Sequence, residues 1–424
     1  MREMKNSGVA WIGDVPKNWE IVKIGQLFQC RNVKVNDTDF QPLSVSKGGI
    51  VPQMENVAKS DANDNRKQVL TGDFVINSRS DRKQSCGVSK LDGSVSLINT
   101  VLYNFDKSKV IPEYNNYLLK NYGFAEEFYR WGHGIVADLW TTRWQEMKNI
   151  EIPVPSIKIQ EAILSALRIK SKNISLLISN QEQQIEKLKQ YKQSLITEVV
   201  TKGLNPDATM KDSGIEWIGI ISAIHNIYRL KYLLNSQMLY GANEAGSFYT
   251  NNAVRYIRIT DITEDNKLKD SAENLYLSIE KAKPYILKDK DILFARSGAT
   301  VGKAFMYLNE YGKSAFAGYL IKAECNTQKL LPEYLFYYTQ SSLYEYWKNM
   351  IFIQATIQNI GANKYSNMPI IQMSLDEQNQ IVKFLDDKCA KIDRLIAIKQ
   401  EKIDKLNDYK KSLIYEYVTG KKEA

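Results

Sequence analysis

Two passages of this chain recur at distances that only a duplicated architecture explains. Ser7-Gly8-Val9-Ala10-Trp11-Ile12-Gly13 returns 206 residues later as Ser213-Gly214-Ile215-Glu216-Trp217-Ile218-Gly219. Tyr191-Lys192-Gln193-Ser194-Leu195-Ile196 returns 218 residues later as Tyr409-Lys410-Lys411-Ser412-Leu413-Ile414. Solenoid repeats have periods of about 20–50 residues. The spacing here instead predicts two whole half-molecules, each a globular segment followed by a long helix. The segments are 1–155 and 204–371, and the helices are 156–203 and 372–424 with its short tail. The first helix ends at Thr201-Lys202-Gly203, where glycine stops a helix, and Leu204-Asn205-Pro206-Asp207 reads as a turn-forming link.

Both helices carry heptads. Leu164, Leu167, Ser171, Ile174, Ile178, Gln181, Ile185, Leu188, Lys192, Leu195 and Val199 form one seam. At an offset of 218, Val382, Leu385, Cys389, Ile392, Ile396, Lys399, Ile403, Leu406, Lys410, Leu413 and Tyr417 form the other. Apolar seams sustained this far predict a coiled coil, and its polar interruptions fix register. At 1.5 Å per residue each helix is about 60 Å long. Two related halves in one chain predict antiparallel pairing, with Ile185 and Ile403 near the middle of the seam and a globular unit at each end of the rod. Beside the seam, Ile163, Leu177 and Tyr191 are matched by Ile381, Leu395 and Tyr409. A two-stranded seam does not need this wider stripe, so it is a candidate docking face for two equivalent partners. Cover from the globular units is the competing explanation near Ile163 and Ile381.

The globular segments read as mixed α/β. Residues 97–105 and 315–323 have the β-branched and aromatic character of strands, as do 72–76 and 290–294. Pro112-Glu113-Tyr114 and Pro332-Glu333-Tyr334 open matched helices. The fold class is therefore α+β: two pseudo-symmetric α/β domains joined by two long helices in an antiparallel coiled coil.

Catalytic signatures are missing from the sequence. The only Asn-Pro, Asn205-Pro206-Asp207, lacks the second proline and aromatic residue of an adenine methyltransferase loop. Gly298-Ala299-Thr300-Val301-Gly302-Lys303-Ala304 lacks the spacing and hydroxyl residue of a phosphate-binding loop. Two histidines and four separated cysteines make a metal site or disulfide framework a poor expectation. The N-terminal residues lack the apolar core of a signal peptide and no apolar run is long enough to span a membrane, so a cytoplasmic location is expected. A formal charge of +9 suits a polyanionic partner, although a codon bias toward lysine would produce the same excess.

The two Ser-Gly-x-x-Trp-Ile-Gly openings, the divergent segments after them and the Tyr-Lys-x-Ser-Leu-Ile helix ends resemble the specificity subunits of type I restriction-modification enzymes. The helix approaches Ile152-Pro153-Val154-Pro155 with Gln160, and Met368-Pro369-Ile370-Ile371 with Gln378, share the resemblance, which extends over nearly the whole chain. It implies that each globular unit is a target-recognition domain reading half of a split double-stranded DNA sequence. It also implies that the helices are spacer and platform for two methyltransferase subunits, with restriction subunits joining through them. S-adenosylmethionine, ATP and Mg would then belong to those partners, and this chain would hold no cofactor or metal and catalyse nothing.

Base readout draws on Arg, Lys, Asn and Gln supported by hydroxyl and backbone contacts to phosphate. The first unit offers Ser78, Arg79, Arg82 and Lys83, with Thr141, Thr142 and Arg143 before the helix. The second offers Arg296, Ser297, Gly298, Thr300 and Lys303, with Gln354, Thr356, Gln358 and Asn359. Gly302 with Gly298 would allow close approach of backbone to phosphate. Trp140 and Trp144 are equally plausible as core anchors. In the second opening, Ile220-Ile221-Ser222-Ala223-Ile224-His225 replaces Asp14-Val15-Pro16-Lys17-Asn18-Trp19, and the lost proline and tryptophan predict a looser entry loop. The alternatives to DNA recognition are an enzyme with an unfamiliar site and a coiled-coil adaptor without DNA specificity.

Overall fold

Long amphipathic stretches bounded by proline and glycine become two continuous helices in the computed structural model, Ile157–Lys202 and Leu375–Val418. The structure describes residues 2–53, 65–106, 108–134, 140–248, 253–263, 266–269, 273–298, 300–353 and 359–424. The chain divides into two units, one of residues 1–182 with 400–424 and one of 183–399. Each unit therefore takes the start of one long helix and the end of the other.

In the first unit, a four-stranded antiparallel sheet has the order Cys86–Val88, Phe74–Asn77, Asn99–Asn104, Phe28–Cys30. A second sheet orders Gly93–Val95, Arg66–Val69 and Lys34–Val35. The principal core lies between the larger sheet, the helices Pro112–Leu118 and Tyr122–Arg130, and the long helices. It buries Trp11, Trp19, Phe74, Tyr114 and Phe124 together with Ile163, Leu164, Leu167 and Ile174 from the first long helix and Leu413 and Tyr417 from the second. The two helices are antiparallel here, since Lys410 Nζ reaches Ser175 Oγ at 2.9 Å while Leu413 and Tyr417 join the core beside Leu164 and Leu167.

The second unit is built on the same plan. Ala304–Met306, Ile292–Ala295, Leu320–Ala323 and Leu239–Tyr240 repeat the order of the four-stranded sheet. Leu275–Leu277, Val254–Ile257 and Ser314–Phe316 form the smaller sheet, the last pair parallel. The core again takes both long helices, with Ile196 and Val199 beside Val382, Leu385 and Cys389. Lys192 Nζ binds both carboxylate oxygens of Asp393 at 2.8 and 2.7 Å, the counterpart of Lys410 with Ser175. Ile185 and Ile403 are both buried.

Duplicated polar contacts explain why the approach motifs recur. Gln160 is fully buried: its amide donates to Lys109 and Pro155 carbonyls at 2.7 and 2.8 Å and its oxygen accepts from Ile111 N–H at 2.9 Å. Gln378 does the same with Lys329, Met373 and Leu331 at 2.9, 2.9 and 2.8 Å. Each glutamine thus ties the start of a long helix to the loop entering the proline-led helix, with its hydrogen-bonding capacity used inside the core. Tyr114 and Tyr334 hydroxyls donate to the carbonyls of Val418 and Val200, near helix ends whose last carbonyls have no partner within the helix.

Two expectations change. The stretch 315–323 is not one strand: Ser314–Phe316 and Leu320–Ala323 belong to different sheets. The chain turns at Gly318, where an added Cβ would collide with the Asn243 side chain. The second entry loop is also as closely bonded as the first. Met210–Asp212 pairs with Ile220–Ser222 as Met4–Asn6 pairs with Asp14–Pro16. His225 N–H donates to Ser222 O at 3.0 Å as Trp19 N–H does to Pro16 O at 2.9 Å. The buried His225 ring meets Glu377 Oε1 at 2.9 Å, a polar anchor where the first unit uses an indole.

The seam pair gives a graded test. Asp393→Ser converts the second unit's Lys–Asp pair into the Lys–Ser arrangement that the first unit already carries. Asp393 is about half exposed, so the expected loss is below about 1 kcal/mol in chemical denaturation. A larger loss would show that the pair does more than set register.

Candidate DNA-recognition surfaces

Where each central strand runs out of its sheet, the chain is held by the segment that precedes the long helix. In the first unit Thr142 N–H donates to Ser78 O at 3.0 Å, and Arg79 and Thr141 form a β-bridge. In the second, Ile360 N–H donates to Arg296 O at 2.9 Å, and Ser297 and Asn359 form the bridge. The four partners are related by the same 218-residue offset as the helices. Arg79 therefore corresponds to Ser297 and Ser78 to Arg296, one position away from a simple match of the arginines.

In the first unit these loops line a cavity with Arg79, Arg82, Lys83, Tyr129 and Trp140 at its wall. Arg79 Nε donates to Asp81 Oδ1 at 3.0 Å, and Arg82 Nε lies 3.5 Å from the other carboxylate oxygen. Lys83 Nζ binds Glu126 at 3.0 Å and sits 4.3 Å from the centre of the Tyr129 ring. Arg143 is exposed; its N–H donates to Glu146 Oε2 at 3.0 Å, closing the first turn of Trp144–Met147. Arg79, Arg82, Lys83 and Arg143 thus present cationic side chains on one loop cluster, while Thr141 is half-buried.

Not every candidate points outward. Ser78 is buried with its hydroxyl 2.9 Å from Thr100 Oγ1, and Thr142 is buried with its hydroxyl donating to Phe128 O at 2.6 Å. Both side chains serve the fold, and only their backbone groups position the loops. Trp140 Nε1 donates to Tyr129 O at 2.9 Å, and Gly132 provides the room its indole needs.

In the second unit Ser297 and Asn359 are half-buried, and Gly298 and Thr300 are exposed. Gly298 has φ +84° and open space where a Cβ would stand, so its backbone is accessible. Gly302 has φ +85°, but the Lys348 side chain fills the space beside it, so this glycine serves packing. The Lys303 amino group donates to Thr263 O and is occupied within the unit. The Arg296 guanidinium lies 5.0 Å from the centre of the Tyr240 ring, a residue that no sequence pattern singled out. Gln354, Thr356 and Gln358 lie outside the described residues.

The exposed stripe beside the helix seam is shorter than its sequence pattern. Ile163 and Ile381 are buried in the two cores, because the globular sheets and helices cover the starts of the long helices. Leu177, Tyr191, Leu395 and Tyr409 remain 45, 58, 47 and 51% exposed. The register set by Lys410 and Ser175 brings Leu177 and Tyr409 to the same level of the first unit, and Lys192 with Asp393 does so for Tyr191 and Leu395 in the second. Each unit therefore carries one exposed leucine and one exposed tyrosine at the same level, one from each helix.

Burial pushes the Cys86 thiol up to about 12 and the Cys389 thiol up to about 11, removing them as thiolate nucleophiles near neutral pH. Among the described residues, no group of three or more His, Cys, Asp and Glu converges as a metal site, and no helix is long and apolar enough to cross a membrane.

Residues 231–408 match the family described as the type I restriction modification DNA specificity domain. The chain is 24% identical over 284 residues to the type I restriction enzyme MjaVIII specificity subunit of Methanocaldococcus jannaschii, covering 65% of this chain and 62% of that protein. It is 23% identical over 442 residues to the putative MjaX specificity subunit of the same organism, covering 97% of this chain and 95% of the relative. The chain thus spans less than two thirds of the first relative and nearly all of the second. A solved chain from work on complex assembly and conformational transition of the type I R-M system superposes with a TM-score of 0.70 at 15% identity, covering 95% of this chain and 98% of the other. The duplicated openings, the recurring sheet order and these likenesses agree: residues 231–408 carry the type I restriction modification DNA specificity domain, and the chain is similar over nearly its whole length to a specificity subunit of that kind.

Proposed function

We propose that this chain reads a split, asymmetric double-stranded DNA target, one half with each unit, and catalyses no reaction itself. The observation that carries the reading is the duplicated loop clasp, in which identical backbone bonds present different side chains in the two units. Arg79 and Thr141 occupy one clasp, Ser297 and Asn359 the other. A common frame with unlike reading residues suits two unlike half-sites. Arg79, Arg82, Lys83, Thr141 and Arg143 are the contacts proposed for the first half-site, and Arg296, Ser297, Gly298, Thr300 and Asn359 for the second. The exposed Leu–Tyr pairs would each seat a methyltransferase subunit, and restriction subunits would join through these. S-adenosylmethionine, ATP and Mg would act on those partners, in the cytoplasm.

Arg79→Ala tests the first unit. Its side chain must exchange Asp81 for DNA, and a guanine contact by arginine is worth about 1–3 kcal/mol of discrimination. The expected result, in competition with site variants, is relaxed selectivity at one position of one half-site. Equal weakening on all sequences would reassign Arg79 to phosphate, and binding indifferent to both sequence and salt would favour a protein adaptor instead.

A further inference from the structure

Arg296 stands apart from the other arginines of its unit that carry the recognition domain. Arg229, Arg255 and Arg258 each donate to side-chain or backbone oxygens. Arg296 is half-buried, its Nε is sealed from solvent without a hydrogen-bond partner, and among the described residues its guanidinium meets no acceptor. The sealed Nε cannot be reached from outside, so it is the two terminal nitrogens, which are not among the sealed atoms, that an external acceptor would complete. The guanidinium lies against the Tyr240 ring, 5.0 Å from its centre. Tyr240 is in turn fixed: its strand, Leu239–Tyr240, pairs with Leu320–Ala323, and its hydroxyl accepts from Ala362 N–H at 2.9 Å. Arg296 is pinned along its backbone by Tyr319 O at 3.0 Å and Ile360 N–H at 2.9 Å. Tyr319 itself is 64% exposed at this edge.

From this arrangement we propose that Tyr240 is the positioning residue for Arg296, and that the pair reads a guanine in the half-site of the second unit. The inference rests on the DNA-recognition reading above. A guanidinium lying against an aromatic face keeps its donor fork in plane, directed away from the ring. Guanine O6 and N7 are two acceptors at the spacing of that fork, and no other base edge in the major groove offers two acceptors side by side. A phosphate would also accept from arginine, but without sequence preference.

The test uses the full chain assembled with its methyltransferase subunits and maps methylated adenines across host DNA. The wild-type map defines the two half-sites. Arg296→Lys, which keeps the charge and loses the fork, is expected to relax one guanine position in one half-site by about ten- to a hundredfold. Tyr240→Leu should relax that same position while Tyr240→Phe, retaining the ring, relaxes it less. The half-site read by the first unit should be unchanged in all three, which also certifies folding. Replacing that guanine with 7-deazaguanine in a synthetic duplex should weaken wild-type binding and leave Arg296→Lys indifferent. If wild type methylates without sequence preference, the DNA-recognition reading fails. If wild type is selective but Arg296→Lys or Tyr240→Leu loses methylation evenly over all sites, or alters no guanine, the pairing proposed here is overturned.

Discussion

Residues 1–203 alone should self-associate into a two-fold dimer and, with methyltransferase, modify a palindromic split site built from one half-site and its inverted copy. In the intact chain the first unit is completed by Leu413, Tyr417 and Val418, which enter its core. At the 218-residue offset their counterparts are Leu195, Val199 and Val200, already present in the fragment and already packed against the second unit's core. A second copy can therefore supply the missing helix end, closing the symmetry that the duplication approximates. The fit is imperfect. Val199 is smaller than Tyr417, leaving space that costs about 2–4 kcal/mol at each end. Thr197 replaces Tyr415, whose hydroxyl donates to Trp11 O at 2.7 Å. Lys192 would meet Ser175, a pairing that Lys410 shows to be acceptable. Dimerisation should thus occur in the micromolar rather than nanomolar range, roughly, given that loss of a few kcal/mol. Light scattering and methylation mapping check the two statements. A strictly monomeric fragment, or one still directed to the original asymmetric site, would show that the halves are not autonomous readers.

Leu177→Asp should remove one methyltransferase subunit and Leu395→Asp the other, with little change in the chain's own stability. Both leucines are nearly half exposed, so an aspartate there costs the free protein within about 0.5 kcal/mol. In a docked interface the same carboxylate would be buried without a partner, a penalty of about 3–5 kcal/mol and a loss of affinity above a hundredfold. Because each pair draws on both helices, Tyr409→Asp should mimic Leu177→Asp, and Tyr191→Asp should mimic Leu395→Asp. Titration of each variant with methyltransferase, alongside thermal unfolding, separates docking from folding. Unfolding of the chain with retained co-purification would place these side chains in the core and refute the docking role.

Periodicity made the long helices, the seam and the duplicated halves legible, since each depends on local spacing that burial must obey. The sheet strands were legible where β-branched residues run together, as at Asn99–Asn104. They were not where a glycine turn divides one apolar run between two sheets, as at Gly318. The docking stripe was overextended at Ile163 and Ile381 because a helix pattern shows which face is apolar but not which part of it a domain covers. Ser-Arg and Arg-Ser offer no alignment by themselves, whereas the backbone bonds align Arg79 with Ser297. Tyr240 left no signal near Arg296 in the sequence: the pair is made by sheet order, which sets their strands on either side of Leu320–Ala323. The hydroxyls of Ser78 and Thr142 looked like donors for DNA until Thr100 and Phe128 claimed them.

The loop clasp also bears on how such a protein can change. Its bonds run from main chain to main chain, so they are indifferent to the residues they join. The molecule already demonstrates this internally, with Arg79 and Thr141 on one copy and Ser297 and Asn359 on the other. Substitutions at these positions leave the main-chain bonds in place, so if the clasp carries the reading side chains as proposed, targets can diversify through folded intermediates. On the proposed reading, a lineage under pressure to recognise new invaders, or to spare its own altered genome, could change the letters carried by the clasp while leaving its hinge of hydrogen bonds untouched.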